Sequence, residues 1–113
     1  MHEVGIIQSV LEIAEAQART SGALRINEIR MRVGRMTGVV PDALEHAFAV
    51  LREGTMATAA RLVVEFVPGA FWCIACAAEF EANDLIGGCT TCHEPSFDMR
   101  RGRELDVVSL EVD

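Results

Sequence analysis

Residues 70–102 read AFWCIACAAEFEANDLIGGCTTCHEPSFDMRRG and hold all four cysteines of the chain. They fall as Cys73-Ile74-Ala75-Cys76 and Cys89-Thr90-Thr91-Cys92, with twelve residues between the pairs. A C-x-x-C turn points both sulfurs inward from one tight loop. Two such turns on short hairpins put four thiolates at the corners of a tetrahedron, which zinc accepts without redox chemistry. The stretch is poor in large apolar residues, with Phe71, Trp72, Phe80, Leu85, Ile86 and Phe97 as its local set. A unit below ~40 residues usually needs a metal or cross-links to hold shape. Structural zinc contributes on the order of 10–16 kcal/mol of folding free energy, more than this set supplies alone. With four thiolates and one Zn²⁺ the formal charge would move from −7 to about −9. The same residues also admit two disulfides, an iron ion, or, through Cys89-x-x-Cys92-His93, a c-type haem attachment. A closed four-sulfur site has no open position, so its zinc is expected to be structural. His93 is expected to be a solvated residue or a hydrogen-bond donor beside the ligands, with a swapped-in ligand as the other option.

The flanks have a different pattern. Residues 4–20 carry Val4, Ile7, Val10, Leu11, Ala14 and Ala18 at helical spacing, with Gly22 as the stop. Residues 28–34 alternate Ile29, Met31 and Val33 against Arg30 and Arg32, a strand with one apolar face. Leu24 and Ile26 have the wrong parity for that face, so a bulge or a strand start near Asn27 is expected. Gly34 to Val40 reads as a loop. Pro41 suits the first helical position and Asp42 the first turn. Leu44, Ala47, Phe48 and Leu51 then recur at helical spacing up to Gly54. Residues 60–67 and Glu104 to Val112 read as strands, the second with Val108, Leu110 and Val112 on one face. The expected fold is α+β: two helices on a mixed three-stranded sheet form a small α/β domain, with a zinc-ribbon module inserted before the last strand. The boundaries expected are 1–69 plus 103–113 for the α/β domain and 70–102 for the module.

Composition bounds the function. Among 113 residues, 10 basic side chains face 17 acidic ones, for a net charge of −7, and every basic residue is arginine. Binding to a phosphate backbone needs clustered positive charge, and stacking on single strands needs aromatic platforms. One Trp, five Phe and no Tyr give few platforms. The small basic cluster Arg100, Arg101 and Arg103 reads as a solvated turn or as a docking patch for an acidic partner. The start Met1-His2-Glu3 lacks the positive region of a signal peptide. The longest uncharged apolar stretch, Phe66 to Ala78, is too short to span a bilayer. A cytoplasmic protein is expected, with no membrane partner and no nucleic acid. No nucleophile–base ordering, phosphate-cradling glycine loop or paired carboxylate frame suggests an enzyme.

The first three residues offer a second kind of metal chemistry. His2 is bulky, so Met1 is expected to stay attached and leave a free α-amine. That amine, the backbone nitrogen of His2 and a ring nitrogen of His2 can meet one ion in fused chelate rings. The Glu3 nitrogen or a carboxylate would complete four in-plane donors, which suits Ni²⁺ or Cu²⁺ rather than zinc. Amide deprotonation removes positive charge at a helix N-terminus, where a bare cation is disfavoured. His46 on the second helix is expected to be a surface side chain or one with its hydrogen bonds satisfied.

Met1-His2-Glu3 running into an amphipathic helix, a small α/β segment, C-x-x-C-x₁₂-C-x-x-C and a closing Glu104-Leu105-x-x-x-Ser109-Leu110-Glu111 strand together resemble the HypA/HybF family. These are nickel-incorporation metallochaperones of [NiFe]-hydrogenase maturation, acting on urease in some organisms. The resemblance spans essentially the whole chain. It implies Ni(II) held transiently through the His2 side chain and the main-chain nitrogens of His2 and Glu3. It implies Zn(II) held structurally at Cys73, Cys76, Cys89 and Cys92. The partners implied are a nickel-loading GTPase of the HypB type and the hydrogenase large-subunit precursor, and a homodimer is compatible with it. Some members add an acidic ligand after the first strand. Here Gly34 to Val40 has no carboxylate, so that ligand is not carried over, and Asp42 is the nearest candidate. The alternative function is a zinc-ribbon adaptor binding protein or nucleic acid.

Overall fold

The computed structural model describes residues 2–82 and 87–113. Helix α1 (Glu3–Thr20) is followed by β1 (Ile26–Gly34), a 3-10 turn (Arg35–Thr37) and α2 (Pro41–Leu51). Then come β2 (Arg61–Val67), β3 (Ala70–Cys73), β4 (Ala78–Glu81), β5 (Gly87–Gly88), β6 (Pro95–Ser96), β7 (Met99–Arg101) and β8 (Leu105–Val112). Two compact units result. One is Met1–Arg32, Val39–Glu65 and Asp106–Asp113; the other is Val33–Gly38 with Phe66–Leu105. Among the described residues, no helix is long and apolar enough to cross a membrane.

The first unit has a three-stranded sheet in the order β2-β1-β8. Asp113 N–H donates to the Arg25 carbonyl and Gly34 N–H to the Glu104 carbonyl, so β8 runs against β1. Arg61 pairs with Glu28 and Arg32 with Glu65, so β2 runs along β1. The sheet is therefore mixed, as expected, with α2 as the crossover. Ile7, Val10, Leu11, Ala14 and Ala18 of α1, Leu44, Ala47 and Phe48 of α2, and Ile29 and Met31 of β1 are buried apolar residues of this unit's core. Val4 shares that helical face but remains 54% exposed. Gly22, at φ +75°, closes α1, where Ala23 N–H reaches the Ala18 carbonyl at 2.9 Å. Replacing Leu44, which is fully buried, with alanine should cost ~2–5 kcal/mol in chemical denaturation; a loss well under 1 kcal/mol would mean that α2 is not seated as described.

Strand β1 begins earlier than expected. Ile26 N–H donates to the Met56 carbonyl at 2.9 Å and its side chain is fully buried, while Leu24 lies outside the strand and is exposed. The chain after α2 thus covers that end of the strand, and parity alone does not reveal this. Glu28 is the other surprise. Its carboxylate is buried and receives Nε–H of Arg61 at 3.1 Å and Nη2–H of Arg30 at 3.4 Å. The Arg61 guanidinium holds this carboxyl below the usual range.

The second unit is built on two small sheets, β4-β3-β7 and β5-β6. Phe71 and Phe80 sit opposite each other across β3 and β4 and stack at 5.9 Å between ring centres. With Cys73 and Cys89 they form the core, flanked by Ala82 and Met99. Leu85 and Ile86 of the expected apolar set lie outside the described residues. Three glycines converge here. A Cβ on Gly34 would fall 2.0 Å from the Gly102 carbonyl oxygen, and one on Gly102 would fall 2.9 Å from the Gly69 Cα. Three backbone segments pass too closely there for any side chain.

Candidate metal centres

Each cysteine pair forms the tip of a hairpin. Cys73 pairs with Ala78 at the end of β3–β4, so residues 74–77 are the turn. Gly88 pairs with Pro95 in β5–β6, so the second knuckle is likewise the loop. Both knuckles close on a left-handed residue that is not glycine, Ala77 at φ 51° and His93 at φ 63°. His93 N–H donates to the Cys89 carbonyl at 2.9 Å while its side chain lies exposed. His93 therefore serves the site through its backbone.

The four sulfurs all lie within 4.8 Å of one another. Cys73 and Cys92 sulfurs are 3.6 Å apart and those of Cys76 and Cys89 are 3.9 Å apart. A tetrahedral ion with Zn–S of ~2.3 Å needs sulfurs about 3.8 Å apart. A disulfide needs ~2.05 Å. The donor set thus has the dimensions to hold one tetrahedral ion and fits zinc. Backbone N–H groups point at the sulfurs: Cys76 N–H at the Cys73 sulfur and Thr91 N–H at the Cys89 sulfur, both at 3.4 Å. The Cys92 and Thr91 amides pull the Cys89 thiol down to about 6, whereas the neighbouring thiols of Cys92 and Cys73 push Cys76 up to about 12.

The amino-terminal end is built differently. His2 is the N-cap of α1, and its carbonyl accepts the Ile6 N–H at 3.1 Å. Its imidazole is exposed and caps nothing. The first backbone N–H groups of a helix have no partner four residues back, so they remain open to a ligand. The Glu3 side chain is engaged: Oε2 accepts the Val40 N–H at 3.0 Å, at the residue preceding α2. That bond is the main reason the Glu3 carboxyl sits below its ordinary range. Because the value is depressed, the tether is complete at neutral pH and is lost only as acidity passes below the usual carboxylate range. In an NMR titration the Val40 amide should inflect below the midpoint of an unperturbed glutamate; an inflection at or above that midpoint would contradict the bond. Asp42 and His46 are both exposed on α2. The Met1 α-amine lies outside the described residues.

The basic cluster is largely paired. Arg100 binds Asp98 through Nε at 3.0 Å and Nη2 at 2.9 Å, and lies 5.0 Å from the centre of the Trp72 ring. Arg101 pairs with Glu79 at 3.7 Å.

A small α/β unit with a mixed sheet, joined to a hairpin module that encloses four thiolates, defines a zinc-ribbon metal-handling protein. The family described as hydrogenase/urease nickel incorporation, metallochaperone, HypA matches residues 1–112. The hydrogenase maturation factor HypA of Picosynechococcus sp. is 39% identical over 112 residues, covering 99% of each chain. Its counterpart from Rhizobium leguminosarum bv. viciae is 35% identical, again over 99% of each. The solution structure of the Ni metallochaperone HypA from Helicobacter pylori superimposes with a TM-score of 0.69 at 25% identity, covering 99% of this chain and 97% of that one. The chain belongs to the HypA family, the nickel metallochaperones of hydrogenase maturation.

Proposed function

We propose that the chain carries Ni(II) at its amino-terminal end and passes it to the [NiFe]-hydrogenase large-subunit precursor, with urease as a second client class. In this reading a GTPase of the HypB type takes part in loading. The protein works in the cytoplasm as a carrier rather than an enzyme. Residues 1–69 with 103–113 handle nickel and 70–102 form the zinc module, with zinc on Cys73, Cys76, Cys89 and Cys92. The nickel donors are the His2 imidazole and the main-chain nitrogens of His2 and Glu3, with the Met1 amine as the fourth candidate.

One observation carries this reading: the sulfur site is closed while the His2 imidazole is exposed and uncommitted. A cargo ion must enter and leave, and a site with four rigid sulfurs and no open position does not serve that end. Nitrogen donors in square-planar array suit Ni²⁺. Protons compete for such donors, since an imidazole and an α-amine titrate near ~6.5 and ~8 in model compounds. Nickel affinity, measured by calorimetric titration of the zinc-loaded protein, should fall steeply from pH 8 to pH 6. Equal affinity at the two values would contradict nitrogen ligation at this terminus.

A further inference from the structure

The zinc module carries a cleft beside the sulfur site, with Cys73 at the border between the two. It has a volume of about 590 Å³, and its apolar walls are Trp72, Ile74, Pro95 and Phe97. Two of these are strongly exposed for large apolar residues, Ile74 at 86% and Phe97 at 74%. The walls are tied together from below. The buried Ser96 hydroxyl donates to the Trp72 carbonyl at 2.6 Å and accepts the Asp98 N–H at 3.2 Å. Trp72 N–H in turn donates to the Asp98 carbonyl at 2.9 Å. Trp72, Ser96 and Asp98 are therefore held together before anything enters the cleft, which lowers the entropic cost of binding.

Its charge is specific too. Asp98 and Arg100 neutralise one another across a two-point contact, and the Arg100 guanidinium rests on Trp72. Glu94, also on the lining, makes no ion pair among the described residues. The rim is left with one uncompensated carboxylate beside an apolar floor, on a chain of net charge −7. Large exposed apolar side chains around a pocket mark a protein-interaction surface, and a buried apolar anchor gives such surfaces most of their affinity.

We propose that this cleft docks an extended segment of a partner protein that presents a large apolar side chain flanked by arginine or lysine. The apolar side chain fills the space between Trp72 and Phe97, and the basic flank meets Glu94. A second copy of this chain is the poorer occupant, because two chains of charge −7 repel.

Trp72 is the only tryptophan, so its emission reports occupancy directly. The probes are two capped peptides on zinc-loaded protein, acetyl-Gly-Arg-Phe-Leu-Arg-Gly-amide and its counterpart with glutamate for both arginines. The basic peptide should shift Trp72 emission saturably and bind about tenfold more tightly than the acidic one, with the difference shrinking as salt is raised. Phe97→Ser should weaken it about tenfold, the scale of one anchor side chain, with zinc content and circular dichroism unchanged. Ile74→Ser provides a second exposed-site variant, and Glu94→Gln should reduce the preference for the basic peptide. His2→Ala should bind both peptides like wild type, so this surface and the nickel assignment fail separately. Equal binding of the two peptides, no response to the basic one, or sedimentation showing a self-associated protein that Phe97→Ser dissociates would each overturn the proposal.

Discussion

Replacing Cys89 with serine should empty the sulfur site and collapse the hairpin module while both helices persist. Cys89 is buried, belongs to the same small core as Phe71 and Phe80, and receives the Thr91 N–H on its sulfur. Serine is smaller, less apolar and a poor zinc ligand, and it leaves three thiolates that no longer close a tetrahedron. What remains is a core of two stacked rings with Ala82 and Met99 around them. Zinc binding at such sites is worth on the order of 10–16 kcal/mol of folding free energy, so its loss cannot be offset locally. Both helices lie in the other compact unit, which has its own core. Zinc should drop from one per chain to none, and the near-ultraviolet dichroism of Trp72 should flatten. The helical signal should survive. Retention of one zinc, or an unchanged Trp72 signal, would show that the four sulfurs do not act together.

His2→Ala should have the opposite profile: nickel lost, zinc and fold kept. The imidazole is exposed at the N-cap of α1 and makes no cap bond, so truncation removes no packing or capping. The His2 carbonyl, which the first helical bond uses, is unchanged. Nickel should lose its ring-nitrogen anchor, and with it the chelate ring that makes the neighbouring amide nitrogen a donor. Binding should weaken by at least about a hundredfold, above the 10–100-fold typical of losing a supporting residue around a metal.

Local periodicity made part of this architecture legible. The α1 stripe from Ile7 to Ala18, the Pro41 start of α2, the alternation of Ile29, Met31 and Val33, and the two cysteine knuckles each follow from spacing within a few residues. The features that escaped depend on distant residues. Nothing in the local sequence marks Glu28 for burial, which depends on the approach of Arg61, 33 residues on. Gly34, Gly69 and Gly102 are unremarkable singly; their meaning lies in three backbones meeting at one point. Arg100 reads as part of a basic patch until Asp98 and Trp72 are seen to hold it. The Glu3 carboxylate could be foreseen as a helix first-turn acid, but not as the acceptor for Val40 N–H. The turn at Arg35–Thr37 reads only as loop in the sequence, because its Met36 N–H is satisfied by the Gly102 carbonyl, far along the chain.

The most direct test of the separation between a permanent sulfur-bound ion and a transient nitrogen-bound one is parallel nickel and zinc analysis of wild type and His2→Ala after equilibrium dialysis against a slight molar excess of Ni(II) at pH 8. The wild type should hold one zinc and one nickel per chain, and the variant one zinc and no nickel. A variant that still takes up nickel stoichiometrically, or that loses zinc along with it, would contradict the account.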